Sequence, residues 1–253
     1  EDFTGQNGRH LHRESAIMEG QIQQATAQRY GYAKVSHMKL VVAKKIQAYA
    51  ASGGYLFAMC SGAETLDIAL AAEGVDICES LYDGDPADPL ASNKLDYTKT
   101  FAFEKFVLED PYSRKFSTIN AASSSPYFDD TNGYFQLFSY SAKWDIIPSL
   151  LTQNHEHVIR EFIGQTSIFN KRLIKPEVLI MGENRSEGSV RYIYGEMGKG
   201  HWTFYSGHDP EGWPGGGRKR NLALHPNSPG YRLILNNVLF PSEANSNTSL
   251  RLS

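Results

Sequence analysis

The chain has 253 residues, of which 41% are hydrophobic and 21% charged, and its formal net charge is −3. This profile excludes wholesale disorder, a coiled coil and a collagen-like repeat, and the near-neutral charge leaves no electrostatic footprint for nucleic acid. No apolar run approaches the roughly 18 residues of a membrane helix, and the two cysteines, Cys60 and Cys78, exclude a disulfide scaffold while permitting a single bridge.

Residues 14–29 have weak helical character with no strong apolar face. The spacing of Met38, Val41, Val42, Ile46 and Tyr49 predicts a helix over 38–50, which Ser52-Gly53-Gly54 ends. Tyr55 to Met59 reads as a short apolar strand. A buried helix follows from Ser61 to about Glu73, rich in Leu66, Ile68, Ala69 and Leu70, and Gly74 stops it. This order is a βα unit, and it predicts an open α/β sheet with parallel strands.

Residues 82–100 read as a loop and Phe101–Leu108 as a strand. Residues 117–133, with Ser123-Ser124-Ser125-Pro126 and Asn132-Gly133, read as a second loop, and Tyr134–Tyr140 as another strand. The span of about 82–150 is therefore expected to be a β-rich insertion. Val178–Met181, Val190–Tyr194 and Trp202–Tyr205 are expected strands, the last two joined as a hairpin through 195–200. Residues 212–230 form a Gly/Pro-rich loop containing Trp213 and Arg218-Lys219-Arg220. Tyr231–Leu239 is a closing helix and 241–253 a polar tail.

The chemistry concentrates at Ala58-Met59-Cys60-Ser61-Gly62, where an apolar strand turns directly into a helix. A tight strand-to-helix turn presents a nucleophile above the sheet, with small residues two positions either side. The next amide, of Ser61, faces a developing oxyanion, and a helix N-terminus favours a thiolate. The alternative is that Cys60 is a small buried apolar residue at a strand end. A nucleophilic cysteine also needs a base. Of the eight histidines, His208 follows an apolar strand and has Asp209 and Glu211 beside it. His201 precedes that strand and falls at the opposite edge of the sheet.

No Cys-x-x-Cys or His-Glu-x-x-His pattern occurs, so no metal is expected, and no cofactor is expected either. Asn154-His155-Glu156-His157 lacks helical metal-site spacing. Asp83 to Asp88 reads as an acidic turn rather than a calcium loop.

Gly198-Lys199-Gly200-His201-Trp202-Thr203-Phe204-Tyr205-Ser206-Gly207-His208-Asp209-Pro210-Glu211 resembles the C-terminal signature of ThuA-like (trehalose-utilisation-like) proteins. Residues 231–240 resemble the closing helix of that family. The turn at Cys60 resembles the wider class I glutamine-amidotransferase-like superfamily. Phe57 to Ser61 through Asp67 to Gly74, together with His225-Pro226-Asn227-Ser228-Pro229-Gly230, is similar to a bacterial family labelled "asparagine synthetase B".

The resemblance implies a flavodoxin-like three-layer sandwich with a mainly parallel sheet, as one domain over 1–240. It also implies that N-terminal strands and an export signal precede Glu1, and hence a periplasmic or otherwise exported setting. Glu1 to Gly5 would then supply a second oxyanion donor. The implied site is Cys60 as nucleophile, His208 as base, Asp209 or Glu211 behind it, and Ser61 as oxyanion donor, with Gly62, Gly207 and Trp213 lining the substrate.

Three readings follow: a Cys–His amidohydrolase or amidotransferase acting on a small amide, a ThuA-like carbohydrate module with a structural Cys60, and a non-catalytic exported subunit bound to a partner protein.

Overall fold

The computed structural model describes residues 2–6, 14–111, 113, 115–122, 134–138, 156–160, 162–211 and 221–244. The helices are α1 (Glu14–Arg29), α2 (Val35–Ala51), α3 (Ser61–Ala71), the single turn α4 (Ser80–Asp83) and α5 (Pro229–Ala244). The strands are β1 (Tyr55–Met59), β2 (Phe135–Leu137), β3 (Val158–Ile159), β4 (Phe169–Asn170), β5 (Leu179–Asn184), β6 (Ser189–Met197) and β7 (Gly200–Tyr205). They form one curled sheet, a half-barrel in the order β1-β7-β6-β5-β2-β3, with β4 paired to β6 off this path.

The expected flavodoxin-like sandwich with a mainly parallel sheet is not what forms. The β1–β7 pair is parallel, and every other strand pairing among the described residues is antiparallel. The reason lies in the connections. β5, β6 and β7 follow one another through short turns, and a short turn can join only antiparallel neighbours, whereas a parallel pair needs a long crossover. One βα unit, β1–α3, is present, and the sequence reading extended it to the whole sheet.

The expected strand at Phe101–Leu108 is also absent. Residues 101–103 give their backbone N–H groups to a buried carboxylate. Asp67 Oδ1 accepts from Phe101 N at 2.7 Å, and Oδ2 accepts from Ala102 N at 2.8 Å and Phe103 N at 3.0 Å. A side chain has taken the donors that a ladder would use. What remains of β pairing there is two isolated bridges, Phe103 to Ile174 and Leu108 to Ser117. Among the described residues of the 82–150 span, β2 alone joins the sheet. The α5 backbone runs to Ala244, past the expected start of the tail.

The core has two parts. One packs α3 (Leu66, Ile68, Leu70) and the aromatic coil residues Phe101, Phe103 and Phe106 against Trp202, Phe204 and Ile193 on one sheet face. The other packs Phe135, Phe162, Tyr192, Tyr205 and Leu233 on the opposite face, toward α5. Asn237 of α5 ties that face together. Its Oδ1 accepts from Thr203 Oγ1 at 2.7 Å and from the Tyr55 hydroxyl, and its Nδ2 donates to Tyr205 Oη at 3.1 Å. Buried polar groups partnered in this way fix the docking register of a helix on a sheet. No helix among the described residues is long and apolar enough to cross a membrane.

Candidate active site at the β1–β7 edge

The one parallel pair builds the site. β1 and β7 run in register, with Met59 opposite Tyr205, so the residues leaving both strands emerge at the same sheet edge. Cys60 follows Met59 immediately, and its N–H donates to Tyr205 O at 2.8 Å. His208 lies three residues past Tyr205. His201, as expected, sits at the other end of β7, paired with Tyr55.

Cys60 has φ 55° and ψ −138° and caps α3. Among the described residues, only Cys60 and Lys105 combine a positive φ with a side chain. Such a backbone costs roughly 1–3 kcal/mol and persists where the surroundings force it, most often at functional sites. Here the apolar strand and the buried helix fix the chain on both sides of the turn. Gly62 and Ala63 are buried in the first turn of α3, which lets the helix start directly beneath the sheet edge.

Cys60 is 5% exposed and carries a free thiol, as does Cys78, so the two do not form a bridge. Thr166 N–H donates to Cys60 Sγ at 3.4 Å. The His208 imidazole and the Ser61 amide also favour the thiolate form of this sulfur. His208 Nδ1 lies 3.5 Å from Asp209 Oδ2, which leaves Nε2 as the ring nitrogen for the thiol. The His208 side chain is 48% exposed, so the imidazole bridges a buried sulfur and solvent.

Burial pushes the Cys60 thiol up, but the His208 hydrogen bond and the Thr166 and Ser61 amides outweigh it and leave the thiol below its ordinary value. His208 is raised chiefly by its hydrogen bond to Cys60, against the opposing effect of burial, with Asp209 adding to the rise. The two shifts have one meaning. Thiolate and imidazolium stabilise each other, and the pair titrates as a unit.

Two glycines make room for this arrangement. A Cβ on Gly164 would stand 2.7 Å from Cys60 Sγ and 2.9 Å from Gly207 Cα. Gly207 has φ +70°, and a Cβ there would stand 1.8 Å from Phe162 O. Gly207 is thus demanded by the turn that aims His208. That turn is pinned by Gly207 N to Thr166 O at 2.6 Å and by His208 N to Ile163 O at 2.9 Å.

The remaining sequence-predicted residues divide. Asp209 is the acid beside His208. Glu211 faces elsewhere, with Oε2 3.6 Å from His225 Nδ1 and 3.6 Å from an Arg160 guanidinium nitrogen. Trp213, Arg218-Lys219-Arg220, His155, Ser123–Pro126 and Asn132-Gly133 lie outside the described residues.

The described part of the N-terminal segment makes contacts to α3 and to the chain that follows it. Phe3 N donates to Thr65 Oγ1, and Gln6 Nε2 donates to Ile77 O. The second backbone donor at the thiol is Thr166, which sequence reasoning missed because residues 160–168 carry no periodic or motif signal. The acidic turn closes on a lysine: Lys34 Nζ pairs with Asp76 at 2.8 Å, Asp83 at 3.0 Å and Asp85 at 2.6 Å. Cys78 sits beside this group, with Sγ donating to Thr4 O at 3.3 Å.

Compared with family models, curated proteins and solved structures, the chain finds no match.

Proposed function

We propose that this chain is a cysteine-dependent amidohydrolase or amidotransferase-like domain that acts on a small, glutamine-like amide. The observation that carries this reading is Cys60. It is a thiol held at positive φ on a strand-to-helix turn, with an imidazole and two backbone amides on its sulfur.

In the proposed cycle the Cys60 thiolate attacks the amide carbonyl carbon. The oxyanion forms beside the Ser61 and Thr166 N–H groups that already surround the sulfur. As the C–N bond breaks, the His208 imidazolium gives its proton to the leaving nitrogen, and ammonia departs. A thioester remains on Cys60. His208, now neutral, takes a proton from water as the water attacks the thioester, and the acid product leaves with the thiolate–imidazolium pair restored. Asp209 holds the imidazole by Nδ1 throughout. The resemblance to the amidotransferase-like superfamily points the same way. The carbohydrate reading rests on Trp213 and the loop around it, which lie outside the described residues.

Ammonia release from a panel of small primary amides, with glutamine first, tests the proposal. The expected kcat/KM profile is bell-shaped. Activity rises as Cys60 ionises, at a pH below an ordinary thiol, and falls as His208 loses its proton, at a pH above an ordinary imidazole. A profile still rising through pH 9 would place the reaction on a group other than this pair.

A further inference from the structure

α3 carries a carboxylate one turn beyond the nucleophile that the mechanism above does not use. Glu64 is fully buried. Its Oε1 accepts from Ser117 N at 3.1 Å and Ser117 Oγ at 2.8 Å, and its Oε2 accepts from the Thr166 hydroxyl. Thr166 is itself fully buried, and it faces the site with both halves of its backbone. Its N–H donates to Cys60 Sγ, and its carbonyl accepts from Gly207 N in the turn that carries His208.

Nucleophile and base come from different strand ends, and Thr166 belongs to neither strand. A coil residue of this kind has no ladder to fix it, so its position depends on its side chain. The partner for that side chain comes from the nucleophile's own helix. We propose that Glu64 is a positioning residue which, by gripping the Thr166 hydroxyl, sets the Thr166 amide on the Cys60 sulfur and the Thr166 carbonyl under the His208 turn.

The assignment follows from three features together. A buried carboxylate is costly unless its oxygens are filled, and Glu64 fills both. Its two oxygens are held by donors from two separate segments, at 117 and 166, which suits a device that must hold position. The residue gripped is also the one whose amide meets the reactive atom, and supports of this kind decide whether a site holds its geometry. The inference rests on the Cys60–His208 reading for its catalytic meaning, but its structural content can be measured without turnover.

The test is the pH dependence of Cys60 alkylation by iodoacetamide in wild type, Thr166→Val, Thr166→Ser and Ser117→Ala, read by peptide mass spectrometry, with thermal midpoints taken in parallel. Thr166→Val keeps shape and N–H but gives Glu64 nothing to grip. The expected alkylation midpoint rises by about one pH unit, so alkylation at a fixed pH below the midpoint slows by about tenfold. Thr166→Ser, which keeps the hydroxyl, is expected to restore the wild-type midpoint. Ser117→Ala, which strips one of the hydrogen bonds to the same carboxylate, is expected to move it upward by less.

A folded Thr166→Val protein with the wild-type midpoint overturns the proposal. If that variant does not fold, an unmoved midpoint in Ser117→Ala overturns it. Failure of the amidase reading has a separate signature. A wild-type chain that turns over no amide while its alkylation midpoint still moves in these variants keeps the positioning role and loses the reaction.

Discussion

Cys60→Ser is expected to abolish amide turnover, with kcat/KM falling by about 10³-fold or more. A serine hydroxyl at this position meets the same imidazole and amides, but it ionises far too weakly to be a nucleophile without a much stronger base. The structure of the site should survive. The substitution is close in volume, Thr166 N–H keeps an oxygen to donate to, and the backbone at φ 55° is no worse for serine than for cysteine. The thermal midpoint is therefore expected to stay within about 3 °C of wild type. Ammonia release and a melting curve on the same preparation check both halves. An active Cys60→Ser protein would move the reaction to another residue.

The largest expected effect on stability is at Asp67. Its carboxylate accepts three successive backbone N–H groups, from Phe101, Ala102 and Phe103, inside the core that backs α3. Asp67→Ala leaves all three buried without an acceptor. At about 1–3 kcal/mol for each of the three stranded donors, the loss is about 3–9 kcal/mol, a large part of the 5–15 kcal/mol of an ordinary domain. Urea denaturation checks the size.

The pH dependence adds a second reading. Burial pushes the Asp67 carboxyl up, against the three N–H donors, from 3.8 to about 6. The folded pKa lies above the unfolded one, so the protonated group's advantage is complete below pH 4 and is lost as pH rises through 6. Asp67→Asn should flatten the stability slope between those limits. A slope unchanged by Asn would show that another group titrates there.

The elements of the site were legible because local signals fixed them. The run Tyr55–Met59 is apolar and strand-length, Ser61 begins a helix of small and aliphatic residues, and Gly207-His208-Asp209 follows an aromatic strand. Each of these features is set by only a few residues of context.

The sheet was misread for the opposite reason. Its strand directions depend on how the strands connect, and the hairpin expected through 195–200, which forms with its turn at 198–199, requires an antiparallel order that the parallel-sheet reading did not carry through. Phe101–Leu108 has the alternation of a strand and lacks a ladder because Asp67, 34 residues earlier, captures its first N–H groups. A long-range side-chain contact of that kind leaves no trace in the local pattern. Thr166 and Glu64 were invisible on the same ground. Each is an ordinary residue in its own segment, and the two become informative only when the fold sets one against the other at the sulfur. Glu211 was a reasonable candidate by spacing, but the turn at Gly207 aims Asp209 at His208 and leaves Glu211 to His225.

The account stands on an activated thiolate at Cys60. The most direct measurement is the alkylation rate of Cys60 against pH in the wild-type chain, with Cys78 as the internal comparison. Cys78 is fully buried, and its thiol is raised by that burial and by the carboxylates of Asp83 and Asp76. Cys60 is expected to react with a midpoint well below the roughly 8.5 of a free thiol, while Cys78 stays unreactive through the same range. A Cys60 that alkylates only above pH 8.5, or as sluggishly as Cys78, would contradict the thiolate–imidazolium pair and the amide chemistry built on it.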